Sequence, residues 1–384
     1  MAKIHITLVG GQPAPVYHGI VATKPDIVVF IYSYESKSIL EKLKKEISIN
    51  IDEQEPLDTT DPKKILDRAN SLAKKYKDDE ITINISSGLK SWTHLFGIVF
   101  EKMPNAAVVY MDQNNVLWNY RTMSKQDDFE FDMHTHFRLY GNSIENNYRK
   151  FTDYTKEDLI SAEKIEKIRT WNVSDFNALT TVLNKKNESI LKSDKSGTFD
   201  LLKEKKPSMS FVEWEKPSCQ KDGFVRVSLF KKDICEEVTI ESPHAVDLAF
   251  KAGWFEYKVA CLLSKWRRAK EICMNCHFPY RSNLDKNETD IIVNTGPKIL
   301  FVECKTQITN ITDIDKFRSV IKGYGGTGSK GLFVTDAKMT DMAKQKCNEN
   351  GILTFSLQDE HLGMSNEQAL ILLLESELFN INAK

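Results

Sequence analysis

The sequence predicts an α/β protein with two α/β units, and three observations carry that prediction. Strand-like and helix-like runs alternate with short links over residues 1–121. A second alternation starts near Pro243 and continues to a C-terminal helical run. Between the two lies a charged, helix-patterned stretch followed by short strand-like runs. The chain has 384 residues, more than one typical domain, and is 41% hydrophobic, enough for real cores. The expected division is 1–150, 151–242 and 243–384.

KIHITLVG, DIVVFIYS, SINI, ITINISS and AAVVYMD read as strands, because β-branched and large apolar residues dominate them. SKSILEKLKKEI, DPKKILDRANSLAKKY and SWTHLFGIVFEKM read as helices. In the second of these, Ile65, Leu66, Ala69, Leu72 and Ala73 fall at helical spacing, and Asp61-Pro62 supplies a cap and a first-turn proline. Such alternation with short links predicts a doubly wound, mostly parallel sheet. Residues 150–200, with EDLISAEKIEKIRTW, read as a helical connector. SFVEW, GFVRVSLF and EVTI read as a small β element over 209–240. The second unit is read as a helix over 244–268, a β-hairpin, a helix over 311–322, a strand GLFVT, a helix over 336–349, a strand ILTFSL and a final helix.

Net charge is −1, so any nucleic acid would be held by local clusters rather than a global basic field. No run approaches the length of a membrane span. The start, MAKIHITLVGGQPAP, reads as strand and turn rather than signal peptide, and seven cysteines suggest reduced thiols. A cytoplasmic location is expected.

The chemistry concentrates in NETDIIVNTGPKILFVECKT. TDIIV and KILFV are separated by the turn residues Asn294-Thr295-Gly296-Pro297, which predicts a hairpin. A turn centred between Gly296 and Pro297 sets Asp290 opposite Glu303. Alternation puts Glu303 and Lys305 on one face and Cys304 on the other. Two carboxylates and an ammonium at one hairpin end suit a divalent metal on a phosphodiester, with hard oxygen ligands and a cation beside them. On the helix before the hairpin, AGWFEYKVACLLSKW sets Glu256 inside a stripe of Ala252, Val259 and Leu263. A carboxylate on an apolar face needs a partner. Taken alone, the E-x-K pair also reads as a surface ion pair at a strand end.

Asp290, then Glu303-x-Lys305, with Glu256 on the preceding helix, resembles the restriction-endonuclease-like PD-(D/E)XK superfamily. The proline of that motif is absent, and Thr289 precedes Asp290. The resemblance implies Asp290 and Glu303 as ligands of Mn²⁺ or Mg²⁺, helped by the Cys304 carbonyl. It implies Lys305 as the group that positions the nucleophile, and Glu256 as a peripheral or second-metal ligand.

In the first unit, Gly10-Gly11-Gln12-Pro13, Tyr32-Ser33-Tyr34-Glu35-Ser36 and Ser86-Ser87-Gly88-Leu89-Lys90-Ser91 follow strands, where open α/β sheets bind ligands. The third loop leads into a helix N-terminus and suits a phosphate. None of them matches a dinucleotide or Walker A fingerprint. Ordinary turn chemistry is the plain alternative. GGQPAP and NISSGLKSW resemble the CARF domain, a Rossmann-like sensor of cyclic oligoadenylates. The whole chain resembles the CARF–PD-(D/E)XK ancillary nucleases of type III CRISPR systems. By that resemblance, Gly11, Gln12, Ser33, Ser87, Gly88 and Lys90 contact the ligand, the protein is a homodimer, and the activator is cyclic tetra-adenylate. The implied function is a metal-dependent nuclease cutting single-stranded DNA or RNA. A constitutive restriction- or repair-type endonuclease and a ligand-responsive DNA-binding regulator stay open as alternatives.

Other signals point first to structure. Cys273-Met274-Asn275-Cys276-His277 matches half a zinc site or a haem string, with no second CxxC to complete it. His134 and His136 lie on an apparently alternating segment. His18 and His94 sit near the ligand loops, and packing is the first reading for both. Lys265, Arg267, Arg268 and Lys270 form either a solvated face or a phosphate track. Trp254 and Trp266 share a helical face. Gly323, Gly325, Gly326 and Gly328 mark a loop that can contact substrate or move.

Overall fold

The computed structural model describes residues 1–381 apart from 113–115, 127–131, 187–193, 203–207, 220, 251, 285, 297, 308–310 and 327–328. The first half runs β1 (Lys3–Leu8), α1 (Pro13–Thr23), β2 (Ile27–Ile31), α2 (Lys37–Glu46), β3 (Asn50–Asp52), α3 (Pro62–Lys75), β4 (Glu80–Asn84), α4 (Lys90–Glu101), β5 (Ala106–Met111), β6 (Leu117–Asn119) and β7 (Ser124–Gln126). These strands make one seven-stranded sheet, ordered β3-β2-β1-β4-β5-β6-β7. The first five pair in parallel, and the last two add antiparallel. One face buries Ile4, Ile6, Ile81 and Ile83 against Ile65 of α3 and Phe96 of α4. The other buries Val28 and Phe30 against Val16 of α1 and Leu40 of α2. Burial on both faces is why the strands read as continuous apolar runs.

α1 was missed, because GGQPAP reads as a loop. In the structure Pro13 opens the helix, as a residue without an N–H can at the first turn. Gly19 lets α1 approach the sheet: a Cβ there would lie 2.1 Å from Asn84 Nδ2.

The chain continues through α5 (Met133–Leu139), β8 (Arg149–Lys150), α6 (Lys156–Trp171), α7 (Val173–Lys186), β9 (Ser196–Asp200), β10 (Phe211–Glu215), β11 (Gly223–Lys231) and β12 (Ile234–Ser242). Next come α8 (Ala245–Ala249), α9 (Gly253–Ser264), β13 (Glu271–His277), β14 (Glu288–Asn294), β15 (Ile299–Lys305), α10 (Thr312–Val320), β16 (Ser329–Thr335), α11 (Asp341–Glu349), β17 (Ile352–Ser356) and α12 (Asn366–Phe379). β9 to β12 form an antiparallel sheet ordered β12-β11-β10-β9. A six-stranded sheet runs β17-β16-β15-β14-β13-β8. One apolar cluster joins Ile165 and Ile168 of α6, Trp214 and Val225 of the four-stranded sheet, and Trp254, Val259 and Leu263 of α9. The opposite face of the six-stranded sheet packs Phe278, Phe301 and Phe317 against Phe137 of α5.

Several expected elements change in detail. The single helix over 244–268 is two helices, because Ala252 takes a left-handed φ of 62°. Gly253 follows it, packed so tightly that a Cβ would lie 2.0 Å from the Asp247 carbonyl oxygen. Ala252 therefore lies outside the helical stripe of Val259 and Leu263. The helix over 311–322 ends at Val320 and passes into a π-helical turn, Ile321–Gly325. The helix over 336–349 begins at Asp341, where the Thr340 side chain caps Ala343 N–H. Trp254 and Trp266 are both buried in the same cluster. Gly328 lies outside the described residues.

The CMNCH segment is strand β13. Asn275 has φ 55°, and this left-handed residue reverses the alternation, so Cys273 and Cys276 both enter one apolar cluster while Met274 enters the other. His134 and His136 lie on helix α5, not on an alternating strand. His134 Nε2 is 2.9 Å from the Tyr148 hydroxyl.

Burial leaves three imidazoles neutral. It pushes His5 and His18 down to about 3 and His136 to about 4. His5 Nδ1 meets Thr23 Oγ1 at 2.8 Å. In the unfolded chain these rings titrate near 6.5, so below that pH the unfolded state binds more protons and stability falls with pH. Urea unfolding measured from pH 7 to pH 5 is expected to show each ring costing about 2 kcal/mol at pH 5. His5→Gln should shallow that slope; an unchanged slope would contradict the assignment.

Candidate active site

Strands β14 and β15 pair antiparallel with Ile291↔Val302, Ile292↔Phe301, Val293↔Leu300 and Asn294↔Ile299. One further step in this register sets Asp290 beside Glu303. Two bonds lock it: Cys304 N–H donates to Asp290 Oδ2 at 2.7 Å, and Thr289 Oγ1 donates to the Val302 carbonyl at 3.0 Å. Cys304 turns into the apolar cluster, while Lys305 Nζ lies 2.8 Å from Glu303 Oε1. Glu303 is buried, Asp290 half-buried, and Glu256 reaches the same place from the first turn of α9.

The structure thus brings Glu256, Asp290, Glu303 and Lys305 together, and adds Lys286. Its ammonium donates to both Glu303 oxygens at 2.7 Å. Lys286 sits in the loop before β14, and no spacing in the sequence flags it. Three carboxylates face two ammoniums. Burial and then the Asp290 charge push the Glu256 carboxyl well above its usual range. Burial and the Glu303 charge raise Asp290 to about 6, against the opposing pull of Lys305 and Lys286. Burial works against the charge of Lys305, but Asp290 and Glu303 outweigh it and hold the ammonium protonated.

Among the described residues, no three His, Cys, Asp or Glu side chains are gathered closely enough to ligate one cation. Both Glu303 oxygens are held by lysine. The donor chemistry nonetheless fits a hard divalent cation: the candidate side-chain ligands are carboxylate oxygens. The site is also tied to α6. Arg169 pairs with Asp336 at 3.1 Å and lies 5.1 Å from the Trp254 ring, two residues before Glu256. Asp336 N–H donates to the Lys305 carbonyl at 3.3 Å.

The ligand loops divide into two places. In the parallel order β3-β2-β1-β4-β5, the connections diverge between β1 and β4, the crevice where such sheets bind ligands. The loops holding Gly11, Gln12, Ser87, Gly88 and Lys90 meet there. Gly10 N–H donates to Ser87 Oγ at 3.0 Å, and a Cβ on Gly10 would lie 2.5 Å from Gly88 N. Gly88 has φ 89° and touches Leu8, so this position requires glycine. Gln12 stands at the N-cap position of α1 without a side-chain capping bond, and Lys90 opens α4, exposed. Ser33 stands apart. Its N–H bonds Ser36 Oγ, and it lines a separate cavity of about 690 Å³ with Asp58, Lys64 and Arg68 of the α3 side. His18 is buried and His94 is exposed. Of the basic cluster after α9, Arg268 pairs with Glu375 at 2.9 Å and stacks on Phe379.

No family model matches the sequence, and no curated protein matches it. Solved structures do. Can2 from Sulfobacillus thermosulfidooxidans, in complex with cyclic tetra-adenylate, aligns over 98% of this chain and 99% of that one, with TM-score 0.63 and 15% identity. The whole chain shares this fold. Protein VC1899 from Vibrio cholerae aligns over 98% of both chains, with TM-score 0.67 and 15% identity. A type III CRISPR defence DNA nuclease activated by cyclic oligoadenylate aligns over 96% of this chain but 52% of its own, with TM-score 0.57 and 15% identity. The likeness covers the seven-stranded sheet, the four-stranded sheet and the six-stranded sheet together.

Asp290 supplies a stability test. Its unfolded value is near 3.8, so the folded chain holds that proton more tightly, and stability is lost as pH rises through about 6. With divalent cations chelated, Asp290→Asn should raise the melting temperature at pH 7.5, and the gain should vanish by about pH 4. Scanning fluorimetry reads both. Added Mn²⁺ should raise the wild-type midpoint and leave the variant's unchanged.

Proposed function

We propose that the protein is a metal-dependent endonuclease of type III CRISPR antiviral defence, switched on by a cyclic oligoadenylate. The observation that carries the reading is the convergence of Glu256, Asp290, Glu303 and Lys305 at one hairpin end. Support also comes from the shared fold of Can2 bound to cyclic tetra-adenylate and of a nuclease activated by cyclic oligoadenylate. In this reading 1–150, which holds the seven-stranded sheet, is the sensor, 151–242 the connector and 243–384 the nuclease, with β8 (Arg149–Lys150) of the first segment joining the six-stranded sheet. Cyclic tetra-adenylate lies across two copies of the β1–β4 crevice in a cytoplasmic homodimer. Exposed Leu89, at the N-cap of α4, and exposed Ile98, further along it, fit such pairing.

Asp290 and Glu303, with the Cys304 carbonyl, would hold Mn²⁺ or Mg²⁺. Bound there, the cation supplies Lewis-acid polarisation of a phosphodiester. Lys305 stays charged between its carboxylates, so it orients the attacking water and meets developing phosphate charge rather than removing a proton. Lys286 holds Glu303 in place until substrate and cation arrive. The substrate is single-stranded DNA or RNA. Activation requires the ligand to bind the cutting-competent arrangement more tightly than the resting one.

Purified protein mixed with labelled single-stranded DNA, single-stranded RNA and plasmid, with Mn²⁺, should cut only when cyclic tetra-adenylate is added. Equal cutting without it would replace this reading with a constitutive nuclease. Tight duplex binding with no cleavage would replace it with a regulator. Glu303→Gln should reduce cleavage to background while cyclic tetra-adenylate affinity, by calorimetry, stays at the wild-type value.

A further inference from the structure

A cleft of about 730 Å³ opens beside the first turn of α9, with Glu256 in its wall. Its other walls come from β8, the end of β13, the α8 corner and the turn after β10. That turn belongs to the four-stranded sheet, to which the catalytic reading assigns no role. The cleft lining mixes the rings of Tyr154, His244 and Phe250 and the amides of Asn147 and Asn275 with the charged groups Arg149, Asp247, Lys216 and Glu256. Tyr154 and His244 have ring centroids 4.5 Å apart, and Tyr154 stacks in turn on Tyr257 at 4.7 Å. His244 Nδ1 is held 2.9 Å from the buried Asp158, which fixes the ring. Arg149 is already neutralised by Asp247.

Asn275 contributes the second observation. Its left-handed backbone reverses the side-chain alternation of β13, and its exposed side chain lines the cleft. Continuing the β13–β14 register sets it opposite Asp290. Left-handed asparagine in the middle of a strand is a strained choice, and such strain gathers at binding sites. Rings and amides beside an arginine already paired by Asp247 match a nucleobase edge and face.

We propose that this cleft seats one unpaired nucleotide of the substrate strand, its base against the outer side of the His244 ring, which Tyr154 backs, and its edge read by Asn275, next to the carboxylate cluster. The proposal rests on the nuclease reading and assigns the residues that would read an unpaired base. The four-stranded sheet then closes the substrate cleft.

The test is an abasic scan. Labelled single-stranded decamers, each with one abasic site stepped along the strand, are bound to the full-length protein with cyclic tetra-adenylate present and divalent cations chelated. Anisotropy should show one position that weakens binding about tenfold, the scale of a lost base–aromatic stack. Asn275→Gly keeps the left-handed backbone and should weaken the intact strand while flattening the scan. Tyr154→Leu should do the same. A flat wild-type scan, or an unchanged scan in both variants, overturns the proposal. So does displacement of the strand by adenosine monophosphate at equal affinity, which would mark a free-nucleotide pocket. Cleavage assays with Mn²⁺ run beside it. Cutting with a flat scan removes the cleft and keeps the nuclease; position-dependent binding without cutting removes the nuclease and keeps the cleft.

Discussion

Three carboxylates and two ammoniums share a half-buried volume at the end of β14 and β15, and the arrangement of the second half serves that cluster. Charges removed from water need partners, and a pair broken in the interior costs about 3–5 kcal/mol. Glu303 answers with Lys286 and Lys305, and Asp290 with a backbone N–H. These contacts hold only in one register. Ile291, Val293, Leu300 and Val302 enter one apolar cluster while Ile292 and Phe301 enter the other. A slip of one residue would exchange the two faces and expose both sets.

The cluster is also the meeting point of segments far apart in the chain. α6 reaches it through Arg169, which touches both Asp336, bonded to the Lys305 carbonyl, and Trp254, near Glu256. α5 packs on the outer face of the same sheet. The Asn142 side chain there donates to the Tyr324 carbonyl at 2.7 Å in the π-helical turn. The segments that follow the first sheet are therefore built into the walls around the hairpin.

The first sheet obeys a different constraint, close backbone approach. Gly10 and Gly88 bring the loops after β1 and β4 into contact, and Gly19 lets α1 settle on the strands. Each is a position where a methyl group would strike backbone or a buried side chain. Where these loops meet, Gly10 N–H donates to the Ser87 hydroxyl. Ser33, after β2, lines a cavity with Asp58, Lys64 and Arg68 on the α3 side of the same sheet.

Much was legible from residue patterns. Alternating apolar runs and turn residues determined both α/β units, and turn symmetry determined that Asp290 faces Glu303 with Lys305 beside it. The departures have local causes that pattern cannot carry. A left-handed Ala252 splits one expected helix, and a left-handed Asn275 turns both cysteines of CMNCH into the same apolar cluster. The partner of Glu303 was invisible for another reason. Lys286 lies seventeen residues away, in a loop with no periodicity, and only the folding of that loop over the hairpin end brings its charge to the carboxylate. The sequence by itself determined where most strands and helices fall, that one hairpin sets Asp290 beside Glu303, and which faces are apolar, because those follow from side-chain periodicity and turn residues. Tertiary structure alone decided which charges meet and which loops share a crevice, because electrostatic neighbours are set by distance in space and not by spacing along the chain.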